Sequence, residues 1–296
     1  MSASLRTPAA CLWRAFFLAA CVLSGPLVVR AQPAKNYRPM PNYVQLGKPD
    51  QAEGRRLMSD FRHLGISGDY YLEFRLRMMP HRGQESVFTG RLWGGRRPEG
   101  AYTRLELSGP DGSQVRLLIL NGPNPQIWRW RPGLLEPEHL GLRDLFQAIP
   151  GTVLTPFDLQ MPYLYWNDYT FEGLAKVRGR PAYNFLMYPP PDVEKADPAL
   201  RGVRVSIDSE YKAMVESTLI GADDAPLKRL SLQELKKVQG QWIVQMVEVR
   251  DEATRSKTRF SVTGAALGQS FADGLFSPGA LARDIAPPSG GAVDRF

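Results

Sequence analysis

The sequence predicts a mainly β protein with short α-helices, organised as an antiparallel sheet that keeps one apolar face. Three observations carry that reading. Tyr70, Leu72, Phe74, Leu76 and Met78 alternate with Glu73, Arg75 and Arg77, the two-residue period of a strand with a dry side and a wet side. Tyr169 to Lys176 and Ala182 to Tyr188 flank a turn at Val177-Arg178-Gly179-Arg180, and Tyr183, Phe185 and Met187 share one face of the returning strand. The helical period, by contrast, is confined to short stretches near residues 50–63 and 140–165.

Taken in order, residues 32–49 are rich in Pro, Asn and Gln and read as an extended N-terminal tether. Asp50, with Glu53 three positions on, opens a helix that runs to about His63, with Leu57, Met58, Phe61 and Leu64 near one face and Gly65 as its stop. After the strand at Tyr70 come Glu85 to Trp93, Tyr102 to Leu107, Gln114 to Leu120 and Gln126 to Arg131, separated by Gly, Pro, Asn and Asp clusters at meander spacing. Between Leu140 and Tyr165, Leu142, Leu145 and Phe146 precede Pro150-Gly151, and Pro156, Phe157, Leu159 and Met161 precede Pro162; these read as two short helices or helical turns that cover the sheet. The Pro189-Pro190-Pro191 break ends the central hairpin, since proline cannot donate to a ladder, and Val203, Val205 and Ile207 then alternate with Arg204, Ser206 and Asp208. Strands follow at Ala213 to Thr218, Leu227 to Leu232, Gln241 to Arg250 and Lys257 to Val262; Trp242, Val244, Met246 and Phe260 are assigned to one face. Phe271 to Ala282 reads as a closing helical turn. Residues 50–282 form one domain, and the tail 283–296, with its Pro-Pro-Ser-Gly-Gly, is expected to be disordered.

The first 31 residues resemble a secretory leader: Arg6 and Arg14 without an acid, the apolar run Ala15 to Val29, then Val29-Arg30-Ala31 before Gln32. That run contains Gly25 and Pro26 and spans 15 residues, short of the roughly 20 needed to cross a bilayer as a helix. Export to the periplasm with cleavage near Ala31 is the expectation. Leu18-Ala19-Ala20-Cys21 also resembles a lipoprotein box, which leaves lipid anchoring through Cys21 as the alternative. Both cysteines, Cys11 and Cys21, fall in the leader, so the mature chain has no thiolate for catalysis, metal binding or disulfides. Losing residues 1–31 removes three arginines and no acid, lowering the net charge from +7 to +4, and the remaining basic residues are interspersed with acids, a pattern unlike a nucleic-acid footprint.

No catalytic constellation is visible. His63, His81 and His139 have no metal-ligand spacing, no nucleophile elbow occurs, and Gly94-Gly95 and Gly109 read as hairpin turns better than as phosphate loops, since neither opens a helix after a strand. Catalytic residues, metal ligands and cofactors are therefore expected to be none. What remains is a set of bulky apolar residues on strands: Phe74, Trp93, Leu105, Trp128, Trp130, Phe185, Met187, Trp242 and Met246. Two readings are open, a packed core or the lining of a hydrophobic ligand cavity, for which adaptable Met and Trp side chains are suited. Arg75, Arg77 and Arg129 stand either at the rim of such a cavity or in solvent.

Gly151-Thr152 with Asp158, Tyr169-x-Phe171-x-Gly173, Gly179-Arg180-x-Ala182-Tyr183, Pro189, the Val203 to Asp208 strand and Asp273-x-x-Phe276-x-x-x-x-Leu281 together resemble the outer-membrane lipoprotein-sorting group, the LolA-like proteins that include a spirochaetal uncharacterised lipoprotein domain. The resemblance covers roughly Asp50 to Leu281. It implies an unclosed antiparallel β-barrel with a helical lid, and a periplasmic carrier whose cavity shields the acyl chains of a lipidated protein or lipid, without catalysis. A proline-rich insert at Pro189 to Pro198 and the long termini depart from the simple carriers. The implied partners are lipid acyl chains or a lipidated protein, with an inner- or outer-membrane complex as a possible further partner. The competing expectation is a non-catalytic envelope module whose barrel is filled by its own side chains and which docks on a membrane complex. A third, a hydrolase of envelope lipid or glycan, has no signature in the residues.

Overall fold

A computed structural model describes residues 37–43, 48–289 and 292–296; the expected leader, with Cys11, Cys21 and the cleavage position at Ala31, lies outside the described residues. One antiparallel sheet organises them. Strands β1 (Asp69–Met79), β2 (Ser86–Arg97), β3 (Gly100–Ser108), β4 (Gln114–Asn121), β5 (Gln126–Trp130) and β6 (Glu138–His139) form the first meander. Strands β7 (Tyr169–Val177), β8 (Arg180–Met187), β9 (Gly202–Asp208), β10 (Met214–Ile220), β11 (Pro226–Val238), β12 (Gln241–Asp251) and β13 (Lys257–Gln269) form the second. Pairing of β1 with β13 joins the two into the order β6-β5-β4-β3-β2-β1-β13-β12-β11-β10-β9-β8-β7. Strands β6 and β7 are thus edges, and the barrel is unclosed, as the resemblance implies.

The alternation in each strand determines which side chains go inside. Phe74 and Leu76 of β1, Phe88 of β2, Leu105 and Leu107 of β3, Leu117 and Ile119 of β4, Phe185 and Met187 of β8, and Val203, Val205 and Ile207 of β9 form one buried inner cluster. Helix α1 (Gln51–His63) adds Met58, and the segment between β6 and β7, with α2 (Leu142–Leu145), α3 (Pro156–Gln160) and a 3-10 turn at Pro162–Tyr165, adds Leu145, Ile149, Leu154, Phe157 and Tyr163. Helical segments therefore fill the concavity that the open sheet leaves.

Edge strand β7 is protected by α1. The Gln51 side-chain amide both donates to the Phe171 carbonyl (2.9 Å) and accepts from the Phe171 N–H (2.8 Å), completing a ladder position that would otherwise be free for another chain. Close approach follows from Gly54, where an added Cβ would stand 2.4 Å from the Phe171 Cβ. On β7 the ladder shifts between Phe171 and Gly173, and Gly173 has φ of +100°, a conformation that favours glycine. Glu172 is thereby turned to accept from the Arg204 guanidinium (2.9 Å from Nε) and from the Asn42 N–H (2.8 Å).

The outer face of the first meander is apolar too. Tyr71, Trp93 and Leu118 are buried there with Phe276, Leu281 and Val293, contributed by the chain after β13. This strap, with 3-10 turns at Asp273–Phe276 and Pro278–Ala280, is held by fully buried Arg104, which donates to the carbonyls of Ala280 (2.7 Å) and Arg283 (2.6 Å) and pairs with Glu106. Arg116 donates to the carbonyls of Leu281 (3.1 Å) and Ala282 (3.0 Å).

Several expectations need correction. Residues 292–296 of the expected disordered tail are ordered: β14 (Asp294–Arg295) pairs with β13, the Phe296 N–H donates to the Thr263 carbonyl, and Arg295 grips Glu73 with two 2.9 Å bonds. A shift in the β1–β13 register leaves Thr263 over between Val262 and Gly264, which frees that carbonyl. The tether's described residues 37–43 dock on the sheet, with Tyr188 donating to the Pro39 carbonyl (3.1 Å). The proline-rich insert contains α4 (Pro191–Ala196), since proline is tolerated in the first turn of a helix. Phe260 pairs with Val247 and stacks beside Phe74 (centroids 4.7 Å), so it faces inward, opposite to Trp242 and Met246.

Two outcomes follow from this packing. Gly54→Ala gains helix propensity of about 1 kcal/mol but drives a methyl into Phe171; a net loss of about 1–3 kcal/mol is expected from overpacking, read as a lowered urea midpoint. Asp208 is buried, which by itself would raise its pKa, but Arg180 and the N–H groups of Tyr211 and Glu210 hold it below its ordinary 3.8. Its folded-state value being depressed, its stabilisation is complete above the unfolded value and is lost as pH falls through the folded one. Denaturation from about pH 6 to about pH 3 should therefore show an acid loss that Asp208→Asn makes shallower while lowering stability at neutral pH.

Candidate functional site

The inner face of the sheet and the helical segment from Leu140 to Trp166 that covers it form the candidate site. Thr155 caps α3 in a reciprocal box: its hydroxyl accepts from the Asp158 N–H (3.2 Å), and Asp158 accepts from the Thr155 N–H (2.9 Å). Pro156 sits where its missing N–H costs nothing. Met161, at φ of +51°, turns α3 into the following 3-10 turn. These local rules place Phe157 on the sheet, stacked on Phe146 (centroids 4.6 Å) and beside Tyr163 (5.7 Å) and Trp166 (6.3 Å). Burying Phe157 contributes roughly 2–3 kcal/mol.

Polar pegs fasten this lid at separate points round the half-barrel. Lys228 of β11 pairs with buried Asp158 (2.7 Å) and donates to the Val153 carbonyl (2.9 Å). Gln160 donates to the Leu120 carbonyl of β4 (3.2 Å), the Tyr163 hydroxyl meets that of Ser217 on β10 (3.0 Å), and the Val153 N–H donates to the Thr258 hydroxyl of β13 (3.2 Å). From α1, Arg62 donates to the carbonyls of Leu164 and Trp166. Burial raises the Tyr163 phenol well above its ordinary value and lowers that of Arg62. Each peg satisfies a group that would cost about 1–3 kcal/mol if buried alone, so the closed position is specified as well as stabilised.

The residues predicted as a cavity lining do not come together. Phe74, Leu105, Phe185 and Met187 lie in the inner cluster, where Phe185 and Met187 are fully buried. Trp93 is on the opposite face, buried against Tyr71, and Trp128 and Trp130 pack on the same outer cluster. Trp242 and Met246 point away from the inner residues Ile243, Val247 and Val249; Trp242 is 53% exposed and meets Tyr211 edge-on (5.8 Å). The period-two pattern shows that neighbours alternate, but where both faces are apolar it does not say which set turns inward. Arg75 is exposed, Arg77 pairs with Glu85 at the surface, and Arg129 pairs with Glu138 (2.7 Å). The pegs were missed, although Thr155-x-x-Asp158 was legible as a capping box; Lys228 is distant in sequence and carries no local signal. Among the described residues no cluster of His, Cys, Asp and Glu could hold a metal, and no helix is long and apolar enough to cross a membrane.

A model for a family described as uncharacterized protein-like matches residues 107–283. No curated protein matches the sequence. Three solved structures share the fold. A DUF1329 family protein from Desulfovibrio piger superposes with a TM-score of 0.67 at 17% identity, covering 79% of this chain and 100% of that one. A putative outer membrane lipoprotein-sorting protein domain from Vibrio parahaemolyticus gives 0.66 at 14% identity, covering 78% and 97%. A LolA superfamily protein from Nitrosomonas europaea gives 0.55 at 10% identity, covering 75% and 96%. These likenesses establish the LolA-like fold that the resemblance implies.

Lys228→Met removes one partner of a buried pair while keeping the apolar stem, leaving Asp158 with its capping bonds alone. A loss of about 3 kcal/mol is expected, with new proteolytic cleavage confined to residues 140–166. Cleavage spread evenly over the chain would show that the pair supports the whole fold instead of the lid.

Proposed function

This chain belongs to the uncharacterized protein-like family and has the fold of outer-membrane lipoprotein-sorting proteins, and we propose that it is a non-catalytic carrier of acyl chains from a lipidated protein or lipid in the cell envelope. The observation that carries the reading is the inner apolar cluster, shared between the sheet and the helical segment that covers it. An acyl chain would take the place of lid side chains against Phe74, Leu105, Phe185 and Met187. About a dozen methylenes at about 0.8 kcal/mol each offer roughly 10 kcal/mol, and withdrawing five lid residues at about 2 kcal/mol each costs a similar amount. Such a balance permits both loading and release, the condition a carrier must meet. Export by the leader, with cleavage near Ala31 or, alternatively, lipidation of Cys21, would put the chain in the periplasm or on a lipid anchor there.

A second reading is favoured by a specific observation: Phe185 and Met187 have no exposed surface, as in a barrel filled by its own side chains. In that case the domain docks on an inner- or outer-membrane complex and carries no lipid.

The two readings separate on an acylated lipopeptide. A carrier should be stabilised by it, by about 2.7 kcal/mol at a hundredfold excess over Kd, and Lys228→Met should accelerate binding by freeing the lid. An unshifted melting curve, together with no lipid extracted from the purified protein by organic solvent, would sink the carrier reading and leave the docking module.

A further inference from the structure

The outer face of the sheet holds a recess, on the side opposite the lidded interior. It lies between Trp93 and the strap, opens to solvent, has a volume of about 520 Å³, and is lined among others by Trp93, Phe271, Leu275, Ile285, Pro287 and Arg283. That volume falls in the roughly 300–1,000 Å³ range of pockets that hold small organic ligands. Its floor is rigid, because Trp93 is buried against Tyr71 with ring centroids 5.2 Å apart. Its roof is held in place by the Arg104 and Arg116 bonds to strap carbonyls, so the recess is formed before any ligand arrives.

The chemistry of the lining is one-sided. It contains no carboxylate, and its sole charge is Arg283, which makes no ion pair among the described residues. The neighbouring acids are engaged elsewhere, Asp273 with Arg97 (2.7 Å) and Asp284 with Arg91 (3.0 Å) and Arg116 (3.6 Å). Strand β2 below the recess is paired on both sides, to β1 and β3, so its backbone has no ladder bonds to offer an extended peptide. Recognition here is by apolar contact and a single cation.

We propose that this recess binds a long-chain fatty acid, its alkyl tail against Trp93, Phe271 and Leu275 and its carboxylate at Arg283. None of the recess residues belongs to the interior assigned to acyl carriage, so the two readings can fail separately.

The test uses the full chain and hexadecanoate bearing a photoreactive diazirine on its tail. Labelled peptides should include 269–289 and the one containing Trp93. At Gly274, on the lining, an added Cβ meets nothing within 4 Å, so Gly274→Leu should fold normally, occupy the recess and cut labelling about tenfold, the equivalent of about 1.4 kcal/mol. Gly279→Leu, equally open but off the lining, should leave labelling unchanged. Because Arg283 is exposed, Arg283→Gln should weaken labelling by the acid about threefold while leaving the corresponding alcohol unaffected. Labels confined to inner-face peptides, or a folded Gly274→Leu that labels like the parent, would overturn the proposal. Should Gly274→Leu not fold, equal losses of acid and alcohol in Arg283→Gln would overturn it as well.

Discussion

An open sheet that is apolar on both faces must find two covers, and most of this structure follows from that constraint. Strands β1 to β4 send Phe74, Phe88, Leu105 and Leu117 inward and Tyr71, Trp93 and Leu118 outward. Leaving either set in water would cost roughly 1.5–3 kcal/mol for each large side chain. The segment between β6 and β7 covers the inside, and the strap after β13 covers the outside. Neither has enough regular structure to be stable alone; each exists because the sheet gives it an apolar surface to lie on.

Apolar burial is non-directional, so it leaves the exact seat of each cover open. Buried polar contacts settle it. Lys228 with Asp158 and Gln160 with the Leu120 carbonyl position the lid, while Arg104, Arg116 and Glu106 position the strap. The two sets differ in kind. Strap carbonyls receive bonds from arginines that are themselves buried and paired, whereas the lid is held by single pegs scattered over four strands and α1. That difference makes the lid the easier of the two to lift, since its pegs can be released one at a time. The proposed exchange of a ligand on the inner side and the proposed standing pocket on the outer both rest on that difference.

The edges impose a second requirement. An unclosed barrel leaves β6 and β7 with free ladder groups, and Gln51 of α1 meets this at Phe171 by presenting a side-chain amide in the geometry of a strand. Gly54 allows the helix to come near enough for that bond. Helix α1 thus serves the sheet edge, the inner cluster through Met58 and the lid through Arg62, which explains why a short amphipathic helix precedes the whole β domain.

The hairpins were legible in the sequence because turn chemistry and two-residue alternation are local: Gly179 and its neighbours, the Pro189 break and the strand from Val203 to Asp208 all lie where the pattern put them. The candidate site was legible only in part. Phe74, Leu105, Phe185 and Met187 share the inner cluster, but Trp93, Trp128, Trp130, Trp242 and Met246 do not, and β14 and α4 were not seen at all. Alternation by itself determined that successive side chains part to opposite sides and that one of the sides would be dry; that the outer side of the first meander is apolar and covered as well emerged only in the structure. Which side became the interior, and that the C-terminal residues would add a strand beside Thr263, was decided by tertiary structure alone. Curvature, a ladder shift and partners hundreds of residues away set those outcomes, and none of them leaves a trace in the spacing of neighbouring residues.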